Sequence, residues 1–375
     1  MPLPSSRGLV ARCRLASGSS RFALVDGPGA GRAWAARAAG CKTAAMRITA
    51  LAGGVGGARF LRGLLASLAT SEDPARRDAE VTVVGNTGDD ITLFGLRVCP
   101  DLDTVMYTLG GGIDDAQGWG RADESHVVQA ELAAYGAQPQ WFGLGDRDIA
   151  THVARSQLLG LGLPLSEVTD VLCRRWGLPA RRVRLLPMTD DAVETHVVVD
   201  DADGRRAVHF QEWWVRMQAA VPAEQIVAVG MDRASAGPGV LEAIRQADVV
   251  LLPPSNPVVS IGIILGVPGV RDALRGTVAP VVGVCPLVGG RPVRGHADAC
   301  LTAIGVETTA RAVAGLYEDF LDGWLVDDAD AAGPWPARLA VRPRPLLMSD
   351  VDAAAAIAGA ALDLAGELDA APARA

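Results

Sequence analysis

Lysine is almost absent from this chain: Lys42 is the only one, and arginine supplies nearly all of the remaining positive charge. This absence excludes a P-loop that ends in Gly-Lys-Ser/Thr, a Schiff-base lysine and any lysine that would clamp a phosphate group. A phosphorylated ligand would therefore have to be bound by backbone amides, by arginine or by a metal ion.

Cysteine pairs and uninterrupted apolar runs are also missing. The 6 cysteines are scattered without CxxC spacing, which argues against a zinc site and a disulfide framework and fits a reducing cytoplasm. The most apolar stretch, residues 249–270, is interrupted by Pro253, Pro254, Pro257 and Pro268. We interpret it as a buried strand followed by a loop, and we expect no membrane span.

The chain has no excess of positive charge. Its formal net charge of -8 argues against nucleic acid or an anionic membrane as a partner and favours small molecules. With 375 residues, 49% of them hydrophobic, the chain can bury a large core as one elaborated domain or two lobes.

Residues 1–45 differ in composition from everything after them. They are rich in Arg, Ala, Ser and Gly, and Asp26 is their only acidic residue. A transit-like leader has this composition, although the segment lacks the continuous apolar region of a secretory signal. The interpretation we favour is an upstream translation or a disordered tail before a true start at Met46. The folded domain is then expected to cover residues 46–375.

The pattern after Met46 predicts the order strand, glycine turn, helix, strand. The strands are expected at residues 47–52 and 81–84, and the helix at residues 58–68. This order is the beginning of a βαβ unit. We therefore predict an α/β fold with a Rossmann-like, doubly wound, mainly parallel sheet that binds ligands at the carboxyl ends of its strands.

The middle of the chain, at about residues 120–220, predicts an inserted helical and hairpin lobe. Helices are expected near residues 123–135, 148–160 and 166–176. Alternating segments at residues 193–199 and 206–214 flank an Asp-Ala-Asp-Gly turn, which indicates a hairpin, and His196 and His209 are placed to face each other across it. Further parallel strands are predicted at residues 226–229, 248–252 and 281–284, and a closing strand and helix at residues 346–348 and 351–364.

A glycine run lies between the first predicted strand and helix, at Gly53, Gly54, Gly56 and Gly57. Glycines there allow a tight turn and present backbone N–H groups to an anion. The GGxGG spacing differs from the dinucleotide pattern GxGxxG, and the second strand leads into Asn86 instead of a ribose-binding acid. A tight turn without a ligand is the alternative.

Two acidic loops follow the second predicted strand. The first contains Asp89 and Asp90, and the second contains Asp101 and Asp103. Several carboxylate oxygens beside a diphosphate are the environment that Mg²⁺ requires, so we expect a magnesium site here. A solvated acidic turn is the alternative.

Arg147 lies in the segment Trp-Phe-Gly-Leu-Gly-Asp-Arg-Asp, between Asp146 and Asp148. The two acids are suited to cap the following helix, and that simpler role accounts for them. It does not account for the arginine, which can bind a phosphate or lie against a flat heteroaromatic ring.

A polar loop with Ser255, Asn256 and Ser260 follows the predicted strand 248–252. These side chains offer the neutral donors and acceptors that guanine or ribose requires, and the flanking prolines fix the loop. The aromatic segment Phe-Gln-Glu-Trp-Trp at residues 210–214 could stack a flat ring, but we favour edge-strand packing. The histidines lack the spacing of metal ligands.

Taken in order, these segments resemble the 2-phospho-L-lactate transferase family, and the actinobacterial branch looks closest. The resemblance runs from Met46 to about Leu364, and residues 1–45 lie outside the family pattern. It is carried by the stretches ALAGGVGGARFLRGL, CPDLDTVMYTLGGGID, WFGLGDRDIATH, HFQEWWVR and LLPPSNPVVSIG.

The resemblance implies a homodimeric, Mg²⁺-dependent cytoplasmic enzyme. It would transfer a phosphoenolpyruvyl or 2-phospholactyl group from enolpyruvyl- or lactyl-diphosphoguanosine to the deazaflavin FO, the precursor of coenzyme F-420. In the family, the terminal ribityl hydroxyl of FO attacks the donor phosphorus and GMP leaves.

The residues described above supply the parts for this chemistry. Asp89, Asp90 and Arg147 would be catalytic, with the two acids as metal ligands. The family's FO-contacting acid and arginine match Asp103 and Arg147, although Asp101 lies close to the former. The nucleotide would be bound by Gly53, Gly54, Gly56, Gly57, Asn86, Ser255, Asn256 and Ser260.

Two other functions stay open. One is a non-catalytic, nucleotide-sugar-binding regulator of the gluconeogenesis-factor type, which resembles this chain in its glycine loop; the Arg147 turn and the aromatic segment favour the transferase. The other is an NAD-dependent oxidoreductase, which the glycine spacing disfavours.

Overall fold

A computed structural model describes residues 45–370 of the chain. The expected N-terminal extension, residues 1–45, lies outside the described residues apart from its last residue. Within the described part, the strands are β1 (Arg47–Ala52), β2 (Glu80–Gly85), β3 (Ile91–Leu93), β4 (Leu96–Val98), β5 (Val183–Pro187), β6 (Glu194–Asp201), β7 (Gly204–His209), β8 (Ala223–Val229), β9 (Val249–Leu252), β10 (Val281–Val284), β11 (Leu287–Val288), β12 (Arg291–Pro292), β13 (Gly323–Val326) and β14 (Ala340–Pro343).

The helices alternate with these strands along most of the chain. They are α1 (Gly54–Ala69), α2 (Pro74–Arg77), α3 (Pro100–Gly110), α4 (Val127–Ala134), α5 (Asp146–Gly160), α6 (Leu165–Arg175), α7 (Val240–Gln246), α8 (Ile263–Gly266), α9 (Val270–Gly276), α10 (Ala297–Ala303), α11 (Ala310–Gly315) and α12 (Val351–Ala370). Shorter helical turns span Pro179–Arg181, Glu212–Arg216, Met231–Arg233, Pro257–Gly262 and Asp328–Asp330.

The central sheet has 7 strands in the order β14-β13-β10-β9-β1-β2-β5. All neighbouring pairs are parallel. The first strand, β1, lies in the middle of the sheet. Strands β2 and β5 extend the sheet on one side of β1, and the chain then reverses direction across the sheet, so that β9, β10, β13 and β14 extend it on the other side. This reversal places a crevice at the carboxyl ends of β1 and β9, where doubly wound sheets bind their ligands. The predicted fold class is confirmed.

The inner strands are apolar on both faces because helices cover both sides of the sheet. All residues of β9 and β10 are buried, and so is β1 after its first residue. Helix α1 packs closely between α3 and α12. A Cβ atom at Gly63 of α1 would lie 2.4 Å from the backbone carbon of Ala354, so the close approach of these helices requires glycine at this position.

The hairpin prediction is confirmed: β6 and β7 pair antiparallel, and His196 lies opposite His209 with their rings 5.5 Å apart. The strand expected at residues 226–229 is β8, but it pairs antiparallel with β6 and is not part of the central sheet. All of its residues are exposed or half-buried, which suits a sheet with one solvated face.

Other strand predictions were wrong or incomplete. Residues 346–348 are not a strand, and the last strand of the sheet in chain order is β14. Strands β5 and β13 were not predicted, because β5 contains Arg184 among its apolar residues and neither strand alternates regularly. Since β5 pairs with β2, the range 120–220 contributes a strand to the central sheet besides helices and a hairpin.

The aromatic segment 210–214 is not an edge strand either, because residues Glu212–Arg216 form a helical turn. Trp213 is fully buried there, and its indole N–H donates to the carbonyl oxygen of Val221 at 2.8 Å. The segment packs into the core, as expected, but in a helical conformation.

No single helix in residues 45–370 has the length and apolar character to cross a membrane; one bent pair, Pro257–Gly266 with Val270–Gly276, meets that test by length and composition only.

Candidate functional site

The glycine run begins α1 directly at the end of β1. Gly53 precedes the helix in an extended conformation, and Gly54 has φ of 64°, which favours glycine. The backbone N–H of Gly53 donates to Oγ of Ser255 at 3.1 Å, and that hydroxyl donates to the carbonyl oxygen of Gly53 at 2.8 Å. Ser255 therefore ties the glycine turn to the loop after β9.

The other two glycines make room for the same loop. A Cβ atom at Gly56 would lie 2.3 Å from the carbonyl oxygen of Pro254, and one at Gly57 would lie 2.5 Å from Oγ of Ser255. The first turn of α1 thus packs backbone against backbone on the loop that follows β9, and this contact positions the carboxyl ends of β1 and β9.

We expect Gly56→Ala to lower the free energy of unfolding by about 1–3 kcal/mol, because the added methyl group meets backbone that cannot rotate away. Thermal and urea unfolding measure this loss. Gly160→Ala is the matched control, since nothing lies within 4 Å of a Cβ atom at Gly160 near the end of α5. Equal stability of the two variants would contradict the close packing at the glycine turn.

Asp101, in the first turn of α3, is the acid that meets the glycine turn. Its Oδ2 accepts from Nδ2 of Asn86 at 2.9 Å, and a Cβ atom at Gly53 would lie 2.3 Å from that oxygen. Burial raises the pKa of Asp101 to about 6, although hydrogen bonds from Asn86, the Gly54 backbone and Ser260 act in the opposite direction. The carboxylate therefore lies at the amides where α1 begins.

Asp89 lies next to Asp101 but lacks a full set of partners. The residue is 5% exposed, and its Oδ1 atom accepts no hydrogen bond. Burial, and then the nearby negative charge of Asp101, hold the pKa of Asp89 well above its usual value. A buried acid in this setting is costly as a free anion and is stabilised by a cation.

Asp90 is surrounded by different groups from Asp89. It is fully buried, and its Oδ2 atom lies 3.5 Å from Nη2 of Arg97. Burial raises the pKa of Asp90 to about 7, against the lowering effects of Arg97 and the Cys99 thiol. The negative charge of Asp101 raises the pKa of Asp89 more than that of Asp90 does.

Within residues 45–370, no group of three or more His, Cys, Asp and Glu side chains is arranged to hold a metal ion. Magnesium, however, is commonly held by one or two carboxylates together with substrate phosphates and water. The unpartnered Oδ1 of Asp89 and the adjacent carboxylate of Asp101 fit that requirement. Both oxygens of Asp90 are also buried without a hydrogen-bond partner, so Asp90 fits it as well, although Arg97 lies 3.5 Å away.

Asp103 faces a different part of the protein from Asp101. Both of its oxygens accept from the guanidinium of Arg155, Oδ2 at 3.1 Å, and both side chains are buried. His152 lies between this pair and Asp148, which accepts from the Tyr107 hydroxyl at 2.7 Å. Asp103 thus belongs to a buried charged network between α3 and α5.

Arg147 lies at the N-terminal end of α5, about two helical turns from Arg155. Its side chain is 53% exposed, and Nη1 donates to the carbonyl oxygen of Ala122 at 3.2 Å. The carboxylate of Glu124 accepts from the backbone N–H groups of Arg147 and Asp148 at 2.8 and 2.7 Å. Glu124, and not the two acids predicted from the sequence, therefore caps α5.

The loop after β9 uses most of its polar groups internally. Oδ1 of Asn256 accepts from the backbone N–H groups of Val258 and Val259, which caps the turn Pro257–Gly262. Ser260 is buried beside Asp101 and Gly53. Ser255 and Asn256 therefore shape the loop, and Ser260, like Ser255, lies beside the predicted anion site.

The structure brings together most, but not all, of the predicted site residues. One group lies at the crevice and comprises Gly53, Gly54, Gly56, Gly57, Asn86, Asp89, Ser255 and Ser260, with Asp101 at its centre. Asp103 and Arg147 lie apart from each other and each has its own partners. Sequence analysis did not single out Arg155. The only signal for it was the position of an arginine on the buried face of α5.

The fold and the site define a doubly wound α/β protein with a glycine turn and buried acids at the switch point of its sheet. A model of the family described as 2-phospho-L-lactate transferase CofD matches residues 48–340, and the chain belongs to this family.

The chain is similar to several curated proteins over nearly their whole length. It is 66% identical over 324 residues to the phosphoenolpyruvate transferase of Thermobifida fusca, which covers 86% of this chain and 99% of that protein. The proteins of the same name from Streptomyces coelicolor and Mycolicibacterium smegmatis are 60% and 56% identical, again over 86% of this chain and 99% of each relative.

Among solved structures, a UPF0052 family protein from Bacillus halodurans matches with a TM-score of 0.55 over 86% of this chain and 100% of that chain. Its sequence identity is 17%, so this likeness concerns the fold alone.

Proposed function

We propose that this protein transfers a phosphoenolpyruvyl group from enolpyruvyl-diphosphoguanosine to the deazaflavin FO, releasing GMP, in coenzyme F-420 biosynthesis. The observation that carries the proposal is the meeting of the glycine turn with Asp89 and Asp101 at the carboxyl ends of β1 and β2. A diphosphate and a divalent cation need such amides and acids side by side.

The names of the curated relatives favour enolpyruvyl over lactyl as the transferred group, since all three are phosphoenolpyruvate transferases. The family model, in contrast, is described by 2-phospho-L-lactate. We therefore assign 2-phospholactyl as the alternative donor group. A homodimer and a cytoplasmic setting form part of the same proposal.

In this proposal, the amides of the glycine turn hold the donor diphosphate, and Asp89, Asp90 and Asp101 hold Mg²⁺. When bound, Mg²⁺ would neutralise charge on the diphosphate. Asn86 fixes the carboxylate of Asp101, while Ser255 and Asn256 fix the loop whose Ser260 borders the nucleotide. In-line phosphoryl transfer needs positioning and charge neutralisation and no covalent nucleophile.

Asp103 and Arg147 are proposed to serve the acceptor. Arg147 is the more accessible of the two, and its planar guanidinium suits a flat heteroaromatic ring or its polar edge. The ion pair with Arg155 fixes the orientation of the Asp103 carboxylate, and Asp103 would serve the acceptor in that orientation.

The decisive experiment incubates the purified full chain with FO, Mg²⁺ and a mixture of the enolpyruvyl and lactyl donors. We expect GMP release and a product whose mass equals that of FO plus the phosphoenolpyruvyl group. Nucleotide binding without GMP release would instead favour a non-catalytic regulator, and a product carrying the lactyl group would correct the donor assignment.

We expect Arg147→Ala to weaken FO binding by about ten- to a hundredfold, because one charge-assisted contact contributes about 1.5–3 kcal/mol. The intrinsic fluorescence of FO reports its dissociation constant in a titration. Arg174→Ala, which removes an exposed arginine of α6, should leave that constant unchanged. A loss of donor affinity with unchanged FO binding would reverse our division of the crevice.

A further inference from the structure

Two arginines from distant parts of the chain converge beside the glycine turn. Arg59 lies in the second turn of α1, and Arg294 follows the β11–β12 hairpin. A Cβ atom at Gly118 would lie 2.9 Å from Nη1 of Arg294 and 3.5 Å from Nη2 of Arg59. The two guanidinium groups are therefore neighbours.

The same point lies close to the beginning of α1. A Cβ atom at Gly118 would be 2.8 Å from Cγ1 of Val55, which is the central residue of the glycine run. Gly118 has φ of 76°, so glycine is favoured by the backbone as well as by the crowding. The arginine pair thus borders the turn whose amides are proposed to hold the diphosphate.

Neither guanidinium forms an ion pair with a carboxylate in residues 45–370. Arg59 donates to the carbonyl oxygen of Asp115 at 3.3 Å, and Arg294 donates to that of Gln117. Arg62, one helical turn after Arg59, shows the contrast, because its Nη1 lies 2.6 Å from the carboxylate of Asp115. The loop after α3 thus neutralises Arg62 and leaves the charges of the other two uncompensated.

Two adjacent cations without a counterion repel each other. Partial burial, and then the charge of Arg59, lower the pKa of Arg294. An oxyanion between the two groups would remove this repulsion, and guanidinium groups bind phosphate and carboxylate through paired N–H donors.

We infer that Arg59 and Arg294 form a second oxyanion-binding element of the crevice, which binds an anionic group of the guanosine-linked donor. This inference rests on the proposed function and adds a cation pair to the amides and acids already described. Both the terminal phosphoryl group and the carboxylate of the transferred group have the required chemistry. The pair would hold the donor in line and offset charge during transfer.

The test compares nucleotide binding by the full-length wild type, Arg294→Gln, Arg59→Gln and the control Arg291→Gln. Arg291 is an exposed arginine of the same hairpin, so the control removes the same charge nearby. Isothermal titration with GDP and with GMP gives the dissociation constants, and thermal unfolding checks that each variant is folded.

If the pair binds the terminal phosphoryl group, each of the two substitutions should weaken GDP binding about tenfold or more while GMP binding and the control stay near wild type. If it binds the carboxylate, GDP binding stays unchanged but KM for the complete donor rises by a similar factor. Folded variants with wild-type GDP affinity and wild-type donor KM would overturn the inference. Failure of the wild type to bind GDP or release GMP would instead overturn the proposed function.

Discussion

Replacing Asp89 by asparagine is expected to lower the turnover of FO by roughly 100- to 1,000-fold, since metal-ion stabilisation of a phosphoryl group contributes several kcal/mol. The Oδ1 atom of Asp89 is buried without a hydrogen-bond partner, beside Asp101. An amide of the same shape keeps the packing but loses the charge that would attract Mg²⁺. The measurement is the rate of GMP release at saturating substrates.

The same substitution should not destabilise the protein, and this separates a functional from a structural role. Burial holds the pKa of Asp89 well above its usual value, so the ionised carboxylate is less favourable in the folded state than in the unfolded state. Below the unfolded-state pKa of about 4, the carboxyl group is protonated in both states and folding is favoured most. As pH rises, the group ionises more readily in the unfolded state, and the folded state loses stability. In EDTA, Asp89→Asn should therefore gain stability relative to wild type as pH rises above about 4.

EDTA added to the wild type should reproduce the loss of turnover, and excess Mg²⁺ should restore it. Asp232→Asn, on an exposed turn, is the matched control and should keep wild-type turnover. Full activity of Asp89→Asn, or of the wild type in EDTA, would contradict the metal assignment.

Replacing Arg155 by methionine should lower the free energy of unfolding by about 3–5 kcal/mol, because it leaves buried acids without their cation. The guanidinium is buried and donates to both oxygens of Asp103. It also contributes to lowering the pKa of Asp90, which burial raises to about 7. Urea unfolding at pH 7.5 measures the loss.

A double variant and a pH series separate charge from packing. Adding Asp103→Leu to Arg155→Met should recover part of the stability, since it removes the acid left unpaired. The deficit of the single variant should also shrink as pH falls towards about 4, because Asp90 is then protonated and no longer requires a cation. A deficit that is independent of pH and of residue 103 would mean that Arg155 acts only through packing.

Some features followed from local sequence alone. The alternation of apolar runs, glycines and helical periodicity predicted β1, α1, β2, β9 and β10, because these elements are specified by neighbouring residues. The glycine run could be assigned to a strand-to-helix turn, since that position favours glycine. Ligand groups were expected at one edge of the sheet because parallel strands have their carboxyl ends together.

Other features depended on contacts that sequence spacing does not encode. Strands β5 and β13 have no regular alternation that would mark them in the sequence, and β8 joins a different sheet from the one expected. The role of Ser255 in tying its loop to the glycine turn appears only once β9 lies beside β1.

The sequence by itself determined the fold class, the order of the main strands and the edge where the site lies, because these depend on local pattern and on the rules of parallel sheets. Only the tertiary structure decided which acids meet. Asp101 and Asp103 are about 200° apart around α3, so one faces the glycine turn while the other faces Arg155 on α5. The rotation of a helix against its neighbours is set by packing with residues far away in the chain, and the two acids therefore have different partners and different chemistry.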